Sequence, residues 1–285
     1  NEVAYWVDGV ASMDGYNGDN TSRIENAAVE ELQVISGTFN AEYGQAMSGI
    51  INIVTKEGTP EYHGEISGYI GDYTSNDDIY SVMDRVVDVV DEETGNVTQV
   101  TESTNPLKGF NPTFNIQGSL SGPIPFTNNR LTFFANARSN QSEGHLYGRN
   151  WFLPQGIPGD SSLVPLDPDR YWSGLGKLTW KMSSSMKLTY SLNYSDSYSP
   201  RNYTYNNRTY KYAPLGRNQS FNTINNHLLN FNHVLSQNTF YEVRINRMDR
   251  ETQSYLYEDY TARPNWLVSY NMPVDTTGEQ FETIV

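Results

Sequence analysis

From residue 61 onward apolar and polar positions alternate in twos, with almost no helical periodicity. Tyr62, Gly64, Ile66, Gly68 and Ile70 share one face, and His63, Glu65, Ser67 and Tyr69 the other. Leu131, Phe133, Ala135 and Ala137 oppose Thr132, Phe134, Asn136 and Arg138. Leu178, Trp180 and Met182 alternate with Lys177, Thr179 and Lys181, and Leu188, Tyr190, Leu192 and Tyr194 with Lys187, Thr189, Ser191 and Asn193. Tyr241, Val243 and Ile245 alternate with Glu242, Arg244 and Asn246. Weaker runs over 113–120 and about 224–235 bring the expected strands to seven. Their links alternate in length. Short ones fall at about 122–129, 183–185 and 236–238, and long polar ones at about 74–112, 143–172, 198–220 and 253–285.

Residues 1–58 read differently. Val3–Val7 is a β-prone run closed by Asp8-Gly9, and the stretch from Met13 to Asn20 is a loop rich in Asp, Gly and Asn. Asn26 caps an expected short helical piece reaching Glu31, followed by a buried strand over Leu32–Ile35. Ser48–Thr55 is a second β-branched run, stopped by Lys56-Glu57-Gly58. This part reads as a small α+β unit.

Strict alternation of tight and long links is the pattern of a membrane barrel, with turns on one rim and loops on the other. Lys177, Lys181, Lys187, Glu242 and Arg244 on the polar face suit a wet lumen, and the Tyr, Phe, Trp and Leu of the other face suit lipid bordered by aromatic girdles. A one-sided antiparallel sheet facing bulk water would show the same strands, so the strands alone leave both open. Composition narrows the choice. Only 37% of the 285 residues are apolar and 13% are aromatic, 21 of them Tyr, which is poor material for a soluble enzyme core. The net charge of -14 argues against nucleic acid, and the absence of Cys excludes disulfides and thiolate metal sites. No apolar run reaches the roughly 20 residues of a spanning helix, which leaves barrel strands untouched.

Residues 30–58, from Glu30-Glu31-Leu32 through Phe39-Asn40-Ala41-Glu42-Tyr43-Gly44-Gln45-Ala46 to Gly49-Ile50-Ile51-Asn52-Ile53-Val54-Thr55-Lys56, resemble the end of the plug domain of TonB-dependent outer-membrane receptors. Val29–Val34, Tyr43-Gly44 and Gly49–Lys56 match that family's order and spacing, and Val7-Asp8-Gly9-Val10 fits its usual plug. The wording around Tyr43 is most similar to the Oar-like branch. The resemblance implies a mostly β protein: the C-terminal part of an α+β plug over 1–58, then, over 59–285, about seven antiparallel strands of a transmembrane β-barrel of about 22 strands. It implies a TonB-binding box upstream and an outer-membrane location in a Gram-negative bacterium. Seven strands cannot close a barrel around a plug, so the sequence is expected to be a fragment ending inside an outer loop. The motif residues carried over are Asp8, Gly9, Glu31, Glu42, Tyr43, Gly44, Gly49, Asn52 and Lys56. Gly44 and Gly49 are expected to serve turns or close backbone approach. Glu31, Glu42 and Lys56 are expected to reach the barrel wall as charge pairs, or to be ordinary domain residues.

Candidate chemistry lies in the long links. Between 77 and 104 eight acidic residues face only Arg85, and 253–285 carries a further excess, so the two segments hold -11 of the -14. Asp77, Asp78, Asp88 and Asp91 are weak calcium candidates, against the plainer reading of solvated loops. Val86–Val90 and Val97–Val100 are expected to form a hairpin above the membrane. Trp151, Phe152, Tyr203, Tyr205, Tyr210 and Tyr212 are the ligand-contact candidates, in competition with loop packing and the interfacial belt. His227 and His233 share a strand face about 20 Å apart, too far for one metal. No catalytic motif and no cofactor site is present. The leading expectation is energised import through a plugged barrel, with TonB, outer-membrane lipids, an extracellular ligand and a surface lipoprotein as partners. The alternative is a surface interaction, adhesion or assembly protein on the same scaffold; a third is a soluble carbohydrate-binding β-protein.

Overall fold

The computed structural model describes residues 3–13, 23–36, 49–154, 157–200 and 210–256. The N-terminal sheet holds β1 (Val3–Val7), β2 (Val10–Ala11), β3 (Val29–Ser36) and β4 (Gly49–Thr55) in the order β2-β1-β4-β3. β1 runs parallel to β4, and the other pairs are antiparallel. Asp8 and Gly9 form the two-residue link of the first hairpin, both with positive φ (47° and 77°), as a type I′ turn requires. The helical piece after Asn26 stops at Ala28, three residues short of the expected Glu31, because the chain is already paired with β4 from Val29. The expected buried strand over Leu32–Ile35 is instead an open edge. β3 has no neighbour beyond β4 among the described residues, and Leu32 and Val34 are exposed.

The second sheet is a wall of seven strands. In chain order come β5 (His63–Gly71), an excursion carrying the hairpin β6 (Val82–Val90) and β7 (Val97–Thr104), then β8 (Thr113–Pro123) and β9 (Leu131–Ser142). A second excursion holds β10 (Tyr147–Arg149) and β11 (Leu163–Pro165), and β12 (Asp169–Lys181), β13 (Met186–Pro200), β14 (Gln219–Ser236) and β15 (Thr239–Tyr255) complete it. The wall order is β15-β14-β13-β12-β9-β8-β5, antiparallel throughout and without crossover. All seven expected strands are present, and the tight turns fall where the short links were read.

The two faces divide as the alternation requires. On β12, Tyr171, Ser173, Leu175, Lys177 and Thr179 are buried, whereas Trp172, Leu178 and Trp180 between them are about 45% exposed. Trp172 and Trp180 stand eight residues apart, about 26 Å along a strand, and bracket the apolar outer band as girdle residues do. The N-terminal sheet sits against part of the inner face, reaching β9, β12, β13 and β15, while Tyr69 on the inner face of β5 stays exposed. Among the described residues no helix is long and apolar enough to cross a membrane. Among the described residues, buried apolar clusters include Ala28, Phe134 and Leu175 with Ile24 at the inner face, and Val82, Leu107 and Tyr147 with Tyr80 and Tyr212 in the excursions.

Candidate functional site

The seat of the N-terminal sheet on the wall is built from charged side chains. The tight turn projects Asp8 beside the end of β4, where one carboxylate oxygen accepts from Thr55 N (2.8 Å) and the other from Thr55 Oγ1 (2.7 Å). Lys177, on the inner face of β12, reaches Asp8 at 2.9 Å and donates to the Thr55 carbonyl at 3.0 Å. Only 4% of Lys177 is exposed, so its ammonium depends on these oxygens. Gly9 lies under Arg244 of β15, whose guanidinium donates to the Gly9 carbonyl (3.2 Å). A Cβ on Gly9 would come within 2.6 Å of that guanidinium.

A second contact forms where the chain turns into β3. The buried Glu25 carboxylate accepts from Arg138 Nη1 of β9 and Ser173 Oγ of β12, both at 2.7 Å, and lies 3.4 Å from Arg23 Nε. Burial pushes its pKa up, but the hydrogen bonds from Arg138 and Ser173 and the charges of Arg138 and Arg23 outweigh this, so it is held below its ordinary value. Arg23 stacks over the Tyr171 ring at 3.4 Å. Alongside, Ala28 and Ile24 pack on Phe134 and Leu175, apolar positions of the inner face. A third, exposed pair joins Glu57 to Lys187 of β13 at 3.0 Å. Next to it Gly58 passes so close to β9 that a Cβ would lie 2.5 Å from Phe133 N.

Charge pairing at the wall is therefore present, carried on the plug side by Asp8, Glu25 and Glu57 rather than by Glu31 or Lys56. Glu31 stays on the exposed edge strand and accepts from Gln33 (2.9 Å). Lys56 makes its contact through the backbone, donating its N–H to the Ala28 carbonyl. Gly49 has neither a positive φ nor a crowded Cβ position, its nearest contact being Ile35 O at 3.6 Å, so close approach belongs to Gly9 and Gly58. Glu42, Tyr43 and Gly44 lie outside the described residues. Asn52 lines a gap of about 260 Å³ between sheet and wall, together with Asp8, Gly9, Lys177, Thr189 and Arg244. Thr189 Oγ1 and Asn52 Oδ1 have no hydrogen-bond partner, and neither do both amide atoms of Asn193 or Asn226 Oδ1 on the same inner face. Buried polar atoms in that condition call for water. Lys177 was legible as an inward lysine; Glu25 carries no sequence signal, since its partners lie more than a hundred residues away.

At the opposite end the excursions fold onto one another. Trp151 and Tyr212 stack with centroids 4.8 Å apart, and Phe152 N–H donates to the Tyr212 carbonyl at 3.1 Å. These ligand-contact candidates thus pack against one another, and Phe152 keeps half its surface exposed. Tyr210 packs beside Gly216, with Tyr203 and Tyr205 outside the described residues. The buried Tyr147 hydroxyl is pushed up to about 12 by burial and by the nearby Glu143 and Asp72. Asp160 is held at about 2 by hydrogen bonds from Ser162 and Asn150. The calcium candidates do not converge. Asp77 caps the turn at Ile79, Asp91 caps the hairpin turn through Glu93 and Thr94, Asp78 starts the short turn that Asp77 caps, and Asp88 is exposed on β6 opposite Gln99. Among the described residues no three His, Asp or Glu side chains form a metal-sized group. His227 and His233 instead face outward, bonded to Tyr190 (2.8 Å) and Tyr241 (3.1 Å). The second acidic segment lies almost wholly outside the described residues.

No protein-family model matches the chain. The TonB-dependent transporter Oar of Myxococcus xanthus is 25% identical over 212 residues, covering 67% of this chain and 18% of that protein. Among solved structures, the siderophore receptor PirA of Pseudomonas aeruginosa aligns at a TM-score of 0.51 and 16% identity, over 89% of this chain and 33% of its own. The alcaligin outer membrane receptor FauA of Bordetella pertussis aligns at 0.55 and 11%, over 88% and 31%. The outer membrane transporter YddB of Escherichia coli aligns at 0.51 and 13%, over 82% and 29%. The chain thus spans less than a fifth of Oar and about a third of each solved receptor.

Proposed function

We propose, for a chain that resembles the TonB-dependent receptors in sequence and shares their plug-and-barrel fold, that it is part of an outer-membrane transporter importing a ligand with energy delivered through TonB. In this reading the plug ends at residue 58 and the barrel begins at 59, near the crossing of Gly58 over β9. The observation that carries the proposal is the seat itself. Asp8–Lys177, Glu25–Arg138 and Glu57–Lys187 fasten the plug to the wall by charge, beside a gap lined with unpartnered polar atoms. A plug fixed for good would bury an apolar interface; one that must move is better held by contacts that water can replace. Ligand binding at the outer mouth biases the plug toward release, and force from the inner membrane opens the seat.

The test is uptake by cells carrying the full-length gene. Deleting the gene, and separately removing TonB, should abolish accumulation of the same solute from a panel of siderophores, vitamins, glycans and peptides. Unchanged uptake of every member in both strains overturns import. It would favour the second reading, a surface interaction protein, which draws support from the firmly packed outer loops around Val82, Leu107 and Tyr147.

A further inference from the structure

The β6–β7 hairpin is anchored at its base and unpartnered beyond it. Val82 is fully buried against Leu107 and Tyr147, Asp84 pairs with Arg149, and Lys211 donates to the Ser81 carbonyl at 2.7 Å. A two-stranded ribbon is marginal on its own in water, so these contacts hold it upright. Past the base, every residue of β7 is exposed. Val86, Val89, Val90, Val97 and Val100 keep between 43% and 61% of their surface open to solvent. Neither strand has a second neighbour among the described residues. The β6 edge is broken by a register shift between Met83 and Arg85. The β7 edge is regular, contains no proline or lysine, and its one charged residue, Glu102, is engaged by Arg85 at 2.6 Å. Exposed edges are ordinarily blunted by such devices; β7 carries none.

Charge selects the occupant. Residues 82–104 hold Asp84, Asp88, Asp91, Glu92, Glu93 and Glu102 against Arg85 alone. Two copies of this hairpin repel each other, and anionic headgroups are repelled likewise, whereas a cationic segment is attracted. Valines on both faces favour β-branched neighbours across the new pair. We propose that β7 is a strand-addition site for an extended segment of an extracellular protein that carries lysine or arginine among β-branched residues. The segment's N–H and C=O groups complete the β7 edge, and its cations lie toward the acidic turn at Asp91–Glu93.

The experiment uses the full-length receptor in detergent and, as probe, a peptide of alternating lysine and valine as long as β7. Saturable binding with slowed amide exchange across Val97–Thr104 is expected. Combining Asp88→Asn, Glu92→Gln and Glu93→Gln leaves the hairpin intact and should weaken binding by about tenfold or more. An equally charged lysine–glycine peptide should give no protection on β7. The proposal is overturned if the valine peptide does not bind, if the glycine peptide binds as well, or if binding survives replacement of residues 86–101 by a short turn.

Discussion

Lys177 is the most buried cation of the seat. Its position on the polar face was legible from alternation with Leu178 and Trp180, but its partner was not, because Asp8 enters from a hairpin in a different sheet. Removing one half of a buried pair strands the other, at a cost of about 3–5 kcal/mol. The two halves are not equivalent, however. Asp8→Ala leaves the Lys177 ammonium with the Thr55 carbonyl alone, whereas Lys177→Met leaves Asp8 still capped by the Thr55 N–H and hydroxyl. Asp8→Ala should therefore loosen the plug more than Lys177→Met, and adding Lys177→Met to Asp8→Ala should restore part of the loss. Sensitivity of cells to a large antibiotic excluded by a seated plug reads the order; equal effects of the two single changes would refute it. Gly9→Ala at φ 77° adds backbone strain of about 1 kcal/mol and displaces Arg244, so it should act in the same direction.

At the scale of the element, legibility follows exposure to lipid. The alternation of Leu188, Tyr190, Leu192 and Tyr194 marked β13 within the apolar band, yet the strand runs on to Pro200. β14 and β15 similarly reach 18 and 17 residues, far past the readable runs. Above the band both faces meet water, so Asp196 or Glu251 can point outward and the period-two signal disappears while the ladder continues. The opposite failure occurs at Leu32–Ile35, where an apolar run reads as buried but belongs to an edge strand. The outer band itself makes a quantitative prediction. Leu192, opposite Gly176 and His227, sits mid-band, so Leu192→Arg should cost about 2–4 kcal/mol in refolding from urea into lipid vesicles. The same change at Gln141, at the end of β9, should cost less than about 1 kcal/mol. Equal costs at the two sites would sink the assignment of the outer face to lipid.

Across the whole molecule the plug is held at two corners of different character. Around Ile24 and Ala28 the interface is dry, packed on Phe134 and Leu175, and closed by the buried Glu25 network. Around Asp8 and Gly9 it is wet, with the polar gap, unpartnered Thr189 and Asn52 atoms, and an exposed Glu57–Lys187 pair nearby. Water entering the polar gap would replace its hydrogen bonds as they break, while the dry corner must expose apolar surface before it yields. If the chain imports as proposed, release is expected to start at Asp8–Gly9 and to pivot about Ile24–Ala28. The dry corner also responds to acid. Glu25 titrates below its ordinary value in the folded state, so its contribution is fully present above about pH 4.5 and is lost as pH falls through the depressed folded value. Acid should loosen the dry corner only below that point, which faster amide exchange at residues 24–28 would register. A thiol-specific linker joining Gly9→Cys to Arg244→Cys should block uptake by the full-length receptor, and reduction should restore it. The same linker between Ala28→Cys and Phe134→Cys should leave uptake largely intact. The reverse pattern would place the pivot at the turn, and block at both corners would mean that the whole plug leaves its seat as one body.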